Sequence, residues 1–396
     1  MRRQRFRRIA QDIALLCGSL LFCFFVIEIG YRVLDPFPFF SMGEINHTEH
    51  GNLSMWDRTL GWKGVPGAKA EVVTANSRVS VAHNGIGFRD IEHKDSGDPK
   101  PAIVFLGDSF TWGYEVEFNE MFVNRLRDRL PGYEIFNLAH RGYGTDQELL
   151  TFTRWRDNRR LKLVVLMFSE NDVEDNNSSV RYDKPKPQYQ LVENKLVLTG
   201  VPVPKTEEWE HSRRLARGPD SWRTKLNNLP FRSHFFHDIH FRYKLLWSTN
   251  RSNTIRKDSK ATDLTLTFQI LEELKAEVTR SGAKLVVFFI PSKREIERLD
   301  ESLPYQIEIA ALCQKRGIES FDLAANFKKV WYRTYYRLGS HWNSRGHRLA
   351  GEALYEYLTR YVGLEPLPNL ARGNVHMWPN SELGNKQITY GVDSHI

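Results

Sequence analysis

Three cysteines are too few, and too awkwardly placed, to organise this chain. Cys17 and Cys23 fall inside an apolar run near the N-terminus, which leaves Cys313 alone in the remaining sequence. No intramolecular disulfide is available to that remainder, and a cysteine-based zinc site is excluded. Internal repeats and low-complexity tracts are also missing, so repeat architectures drop out. A basic stripe is lacking too, although the formal charge is +8. Five arginines and no acid stand in the first eight residues, "MRRQRFRR"; without them the chain holds 51 basic against 48 acidic residues. The body is near neutral, with only local basic clusters at 154–160 and 212–214, and no nucleic-acid partner is expected.

What the N-terminus does have is a membrane signal. Residues 13–27, "IALLCGSLLFCFFVI", carry no charge, and "IGYRVL" continues the run beyond Glu28. Fifteen residues fall just short of the roughly 17–25 that a span needs. Glu28 and Arg32 can reach the far interface by snorkelling, which extends it. Arginines ahead of an apolar run hold the N-terminus in the cytoplasm. A cleaved signal peptide starts in the same way, but "VIEIGYRVLD" offers no small-x-small cleavage site, and an uncleaved anchor is favoured. The expected placement is a single-pass anchor with the N-terminus in the cytoplasm and the following domain outside it.

With 396 residues, the chain can bury one large core with additions. The expected organisation is a basic tail (1–12), an anchor (13–34), an irregular arm with short extended pieces packing on the domain (35–95), an α/β domain (96–363) interrupted by an insertion (173–260), and a C-terminal tail (364–396). Within the domain, apolar runs alternate with helical periodicity. Strands are expected at 102–106, 133–139, 161–168, 283–290 and 318–323. Helices are expected at 119–130, 146–160, 263–281, about 305–316 and 344–362. A hairpin turning at Glu193-Asn194 is expected over 189–200. The fold class is therefore α/β: a doubly wound, five-stranded parallel sheet with helices on both faces.

Chemistry-bearing residues gather where such a sheet presents them. "GDS" with Ser109 follows the first strand, "NLAHRGYGTDQ" with Gly142 the second, and "SENDVEDN" with Asn171 the third; "GSHWNSRGH" with His341 precedes the last helix. The carboxyl ends of parallel strands share one edge. A hydroxyl, an imidazole, a glycine loop and an amide would then meet in one crevice, a set suited to acyl transfer.

These four blocks resemble those of the SGNH (GDSL-like) hydrolase superfamily, in order and over roughly residues 80–362. The anchor followed by "EIGYRVLD" is similar to membrane-tethered bacterial members, some of them like polysaccharide O-acetyltransferases. The resemblance implies Ser109 as nucleophile and His341 as general base. It implies an oxyanion hole formed by the Ser109 N–H, the Gly142 N–H and the Asn171 side chain. It implies an acyl-ester substrate, such as a polysaccharide or other cell-envelope glycan, and neither cofactor nor metal. Two positions depart from the pattern. Ser169 stands where a glycine usually opens the third block. The aspartate that usually precedes the histidine by two or three residues is replaced by Leu338 and Gly339, so a backbone carbonyl or an acid from elsewhere must orient His341.

Each residue also has a plainer role: Ser109 and Asn171 as caps, Gly142 as a turn, His341 as a packed surface histidine. His347 is a weaker candidate base because it falls inside the last helix. Asp108 and Asp172 read as structural hydrogen-bonders. The histidines at 234, 237 and 240 have the spacing but not the partners for a metal. Lys293, at the end of the fourth strand, has two readings, one near the crevice and one as a solvated helix start, and the second is favoured. Hence two readings stand: a serine-dependent esterase or O-acyltransferase, and a catalytically weak carbohydrate-binding or assembly subunit that keeps the fold.

Overall fold

The computed structural model describes residues 2–34, 48–50, 52–74, 76–93, 100–156, 160–182, 184–205, 264–298, 304–330, 333–336 and 339–364. The histidines at 234, 237 and 240, much of the insertion and the C-terminal tail lie outside these.

The N-terminal apolar run forms a single helix, α1 (Arg2–Leu34). Its stretch Gln4–Gly30 is long and apolar enough to cross a membrane, with almost none of it buried against protein. Near its end Arg32 Nε donates to Glu28 Oε1 at 2.9 Å, one helical turn away. The arm is more regular than its Gly- and Asn-rich sequence suggests. Strands β1 (Thr48–His50), β2 (Ser54–Asp57), β3 (Gly61–Gly64), β4 (Lys69–Val73) and β5 (Arg78–Ala82) build two small antiparallel sheets, β1-β4-β5 and β2-β3. They are short because turns interrupt them every few residues, and they gain stability by packing on the domain. Leu53, Val72, Val79 and Val81 bury against Trp112 and Ala139.

The domain begins at β6 (Ala102–Gly107). The one-turn helix α2 (Ser109–Trp112), α3 (Phe122–Arg129), β7 (Glu134–Asn137), α4 (Thr145–Trp155) and β8 (Leu161–Phe168) follow. Next come α5 (Asp172–Asn176) and two hairpins, β9 (Val180–Arg181) with β10 (Lys184–Pro185) and β11 (Gln188–Val192) with β12 (Lys195–Thr199). Glu193 and Asn194, at φ 50° and 61°, make the tight turn expected between the last two. After the insertion come α6 (Thr265–Arg280), β13 (Lys284–Phe289), α7 (Lys293–Arg298), α8 (Pro304–Lys315), β14 (Glu319–Asp322), α9 (Ala324–Lys328) and α10 (Ser344–Arg360).

Five strands form one parallel sheet in the order β14-β13-β8-β6-β7. Because side chains alternate along a strand, β6 feeds both faces. Ala102, Val104 and Leu106 pack with α4, α6 and α8 on one side; Ile103 and Phe105 pack with α3 and α10 on the other. Burying each of these larger side chains contributes about 1.5–3 kcal/mol. The apolar runs are nearly unbroken because the strands have no wet face. The chain leaves β6 for β7 on one side and returns to β8 on the other. The carboxyl ends of β6 and β8 therefore flank the point where strand order reverses, the position where open α/β sheets place their crevice.

Candidate active site

Ser109 occupies that point. β6 ends at Gly107, and Asp108 caps α2 by accepting the Phe110 N–H at 2.9 Å. As the first residue of α2, Ser109 has an N–H with no intrahelical acceptor. Gly113 closes the turn at φ 83°, where any side chain would strike Met121.

Far away in sequence, His341 lies on a loop fixed at several points. Tyr335 and Trp342 form an isolated β-bridge, and the Tyr336 N–H donates to the His341 carbonyl at 3.0 Å. Asn343 caps α10 by accepting from the N–H groups of Arg345 and Gly346 (2.9 and 3.0 Å). Its amide also donates to the carbonyls of Arg333 and Tyr335, each at 3.0 Å. Lys293 contradicts its expectation as a solvated helix start. It is buried on the cavity wall, and its Nζ donates to the carbonyls of Tyr336 (2.6 Å) and Gly339 (3.2 Å), because the His341 loop turns spare carbonyls towards it. The result of this bracing is direct contact: Ser109 Oγ lies 2.7 Å from His341 Nε2.

The two side chains open on a cavity of about 160 Å³, whose lining includes Gly142, Asn171, Arg181 and Tyr182. All four sequence blocks thus reach one cavity. Gly142 sits at φ 73°, and a Cβ there would come within 2.4 Å of Tyr182 Cε2. Asn171 is held on both sides: its Oδ1 accepts from Ser169 Oγ at 2.7 Å, and its Nδ2 donates to Asp175 Oδ2 at 2.8 Å. Its amide also lies beside the Asp108 carboxyl, which it helps to hold down. Ser169, in place of the usual glycine, has its hydroxyl 3.0 Å from Asp108 Oδ2, so it ties the first block to the third. Asp108 and Asp172 are buried; Asp172 accepts the Ser169 N–H at 2.6 Å. Burial raises both carboxyls, Asp172 strongly because Asp108 and Asp175 are close by. His347 is a core residue: burial, with Arg89 adding, pushes it down to about 3, and its Nδ1 accepts the Phe122 N–H at 3.4 Å.

The structure adds one residue that the motif blocks did not disclose. Glu115, only 3% exposed, places Oε2 at 3.6 Å from His341 Nδ1. Burial alone would raise its carboxyl, but the His341 imidazole, followed by Thr74 and Asn76, outweighs burial and holds it below the usual carboxylate range. It belongs to the first block by sequence, six residues after Ser109, but nothing local marks it.

The sequence profile of the GDSL-like lipase/acylhydrolase family matches residues 105–349, from the end of β6 into α10. The chain belongs to that family. This GDSL-like protein matches no curated protein by sequence. Among solved structures it is similar to a lipolytic protein of the G-D-S-L family from Veillonella parvula, at 12% identity over 65% of this chain and 98% of that one, with a TM-score of 0.37. A lipolytic protein of the G-D-S-L family from Desulfitobacterium hafniense gives 10% identity, 65% and 99% coverage and a TM-score of 0.35. The acetyl xylan esterase AlAXEase gives 13%, 65%, 99% and 0.37. Ester hydrolysis is the chemistry of the GDSL-like family, and the site of this member holds the residue types for it.

Proposed function

We propose that this GDSL-like protein is a serine-dependent esterase or O-acyltransferase, tethered by α1 and acting outside the cytoplasm. The observation that carries the reading is the 2.7 Å contact between Ser109 Oγ and His341 Nε2 in a cavity also lined by Gly142 and Asn171. Ser109 attacks the ester carbonyl while His341 Nε2 takes its proton. The negative charge that develops on the carbonyl oxygen is met by the Ser109 N–H, the Gly142 N–H and the Asn171 amide. The tetrahedral species collapses, His341 returns the proton to the leaving alcohol, and an acyl-Ser109 ester remains. A water or a sugar hydroxyl, deprotonated by His341, then attacks that ester and frees Ser109.

The five N-terminal arginines support a single-pass placement in a bacterial inner membrane with the N-terminus cytoplasmic. Such a tether favours substrates that stay near the membrane, an acylated envelope glycan or a lipid-like ester. The reading as a catalytically weak binding subunit rested on the lack of an acid beside His341, and Glu115 removes that motive.

The test uses the full chain in detergent, wild type against Ser109→Ala, with p-nitrophenyl acetate and a fluorophosphonate probe. Wild type should turn over and label, and Ser109→Ala should do neither. Labelling that persists in Ser109→Ala refutes the assignment. Adding a glycan acceptor and following acetyl transfer by mass spectrometry separates transferase from hydrolase.

A further inference from the structure

We propose that Glu115 is the positioning residue of this site, standing in for the aspartate missing ahead of His341, and that the N-terminal arm holds it in place. The proposal rests on Ser109 and His341 acting as nucleophile and base.

The two ring nitrogens of His341 face different partners. Nε2 meets Ser109, and Nδ1 faces Glu115 Oε2 at 3.6 Å. For Nε2 to accept the serine proton, the ring hydrogen must reside on Nδ1. A carboxylate on that side selects this tautomer and stabilises the imidazolium that forms. The gap is longer than a hydrogen bond. It closes as the ring becomes charged, when a charge-assisted contact replaces a neutral one. The serine proton goes to Nε2, the Nδ1 hydrogen stays on Nδ1, and Glu115 remains ionised throughout.

Glu115 is held as if for this purpose. Its backbone adopts φ 68°, a conformation that side-chain-bearing residues rarely take. Asn76 Nδ2 donates to its Oε1 at 2.8 Å, Thr74 also bonds the carboxylate, and Oε2 is the oxygen that faces the imidazole. The Tyr336 hydroxyl donates to its carbonyl at 2.6 Å. Arg89, fully buried, donates to the carbonyls on either side of it, those of Gly113 and Val116 (2.8 Å to the latter). Asn76 and Arg89 both come from the arm. Among the described residues Asp108 also acts on His341, but it already receives the Phe110 N–H and lies against Ser169, while Glu170, Arg181 and Lys293 line the same cavity.

The experiment compares wild type, Glu115→Gln and Glu115→Asp as full chains in detergent. It reads kcat and KM for p-nitrophenyl acetate across pH, and the imidazole titration of His341 by NMR with 15N-histidine, the signal identified from a His341→Ala sample. Glu115→Gln should lose about 10²–10⁴-fold in kcat with little change in KM. The acid limb of its kcat/KM profile, and the His341 NMR midpoint, should move down, because a neutral amide replaces the carboxylate beside the ring. Glu115→Asp keeps the charge and should recover at least tenfold of the loss; equal activity of the two variants assigns the defect to folding and overturns the proposal. So does a Glu115→Gln enzyme within twofold of a wild type that Ser109→Ala inactivates, or an unmoved NMR midpoint. A wild type that neither turns over nor labels defeats the esterase reading, and the NMR titration still decides Glu115.

Discussion

Gly142→Ala is a sharp probe of how the oxyanion side of the cavity is built, because its cost has two separable parts. The residue stands at φ 73°, a left-handed backbone that costs an L-residue about 1–2 kcal/mol. The added Cβ would also meet Tyr182 Cε2 at 2.4 Å. Tyr182 is 61% exposed, so its ring can swing into solvent at a further cost of roughly 0.5–1.5 kcal/mol for an off-rotamer side chain. The sum, about 1.5–3.5 kcal/mol, corresponds to a fall in Tm of roughly 3–14 °C for a domain this large. Thermal unfolding of the full chain followed by circular dichroism measures it. The double variant Gly142→Ala, Tyr182→Ala should recover the ring's share and no more, because backbone strain does not depend on Tyr182. Under the proposed mechanism, with the Gly142 N–H as an oxyanion donor, kcat of the single variant should also drop, by about 10–10³-fold. A single variant as stable as wild type, or a double variant fully restored, would refute this account of the loop.

Other substitutions follow the same logic. Lys293→Met leaves the carbonyls of Tyr336 and Gly339 without their ammonium; it should cost about 1–3 kcal/mol and lower kcat more than it changes KM, read by urea unfolding and steady-state kinetics. Asn343→Ala removes the cap of α10 and two further hydrogen bonds beside His341, and should cost about 2–4 kcal/mol by the same unfolding assay. Glu148 is buried with both carboxyl oxygens unpaired, and burial, reinforced by Asp172 and Asp108, raises its carboxyl well above the ordinary range. An acid raised on folding contributes stability below its unfolded pKa, and that contribution is lost as pH climbs towards the folded value, at up to about 1.4 kcal/mol per unit. Glu148→Gln should therefore gain more in Tm over wild type at pH 8 than at pH 5; an equal gain at both argues that Glu148 is not protonated in the fold.

The parallel sheet was legible because its strands are buried on both faces. The run at 161–168 returns as β8 without a shift of boundary, and "AIVFLG" becomes β6. The convergence of Ser109, Gly142 and Asn171 was legible for the same reason, since parallel strands deliver their carboxyl ends to one edge. Side chains whose task depends on distant partners were not. Glu115 meets His341 across more than two hundred residues, and its conformation depends on Arg89 and Asn76, which no periodicity links to it. Lys293 looked solvated because a helix start usually is; the loop folding over it buries it. The arm's short extended pieces were expected, but strands of three to five residues carry too few alternations to be placed one by one.

The reach of Asn76 and Arg89 into the loop after Ser109 bears on how a soluble version should be cut. The family match starts at residue 105, and a clone begun just upstream of β6 would keep every motif block and the whole parallel sheet. It would also discard the guanidinium and the amide that clamp the 113–116 turn. Such a fragment would purify and bind a serine probe slowly, and would pass for a naturally feeble enzyme. Starting instead just after α1 keeps the clamp and removes only that helix, so the choice of first codon decides whether Glu115 is held in place.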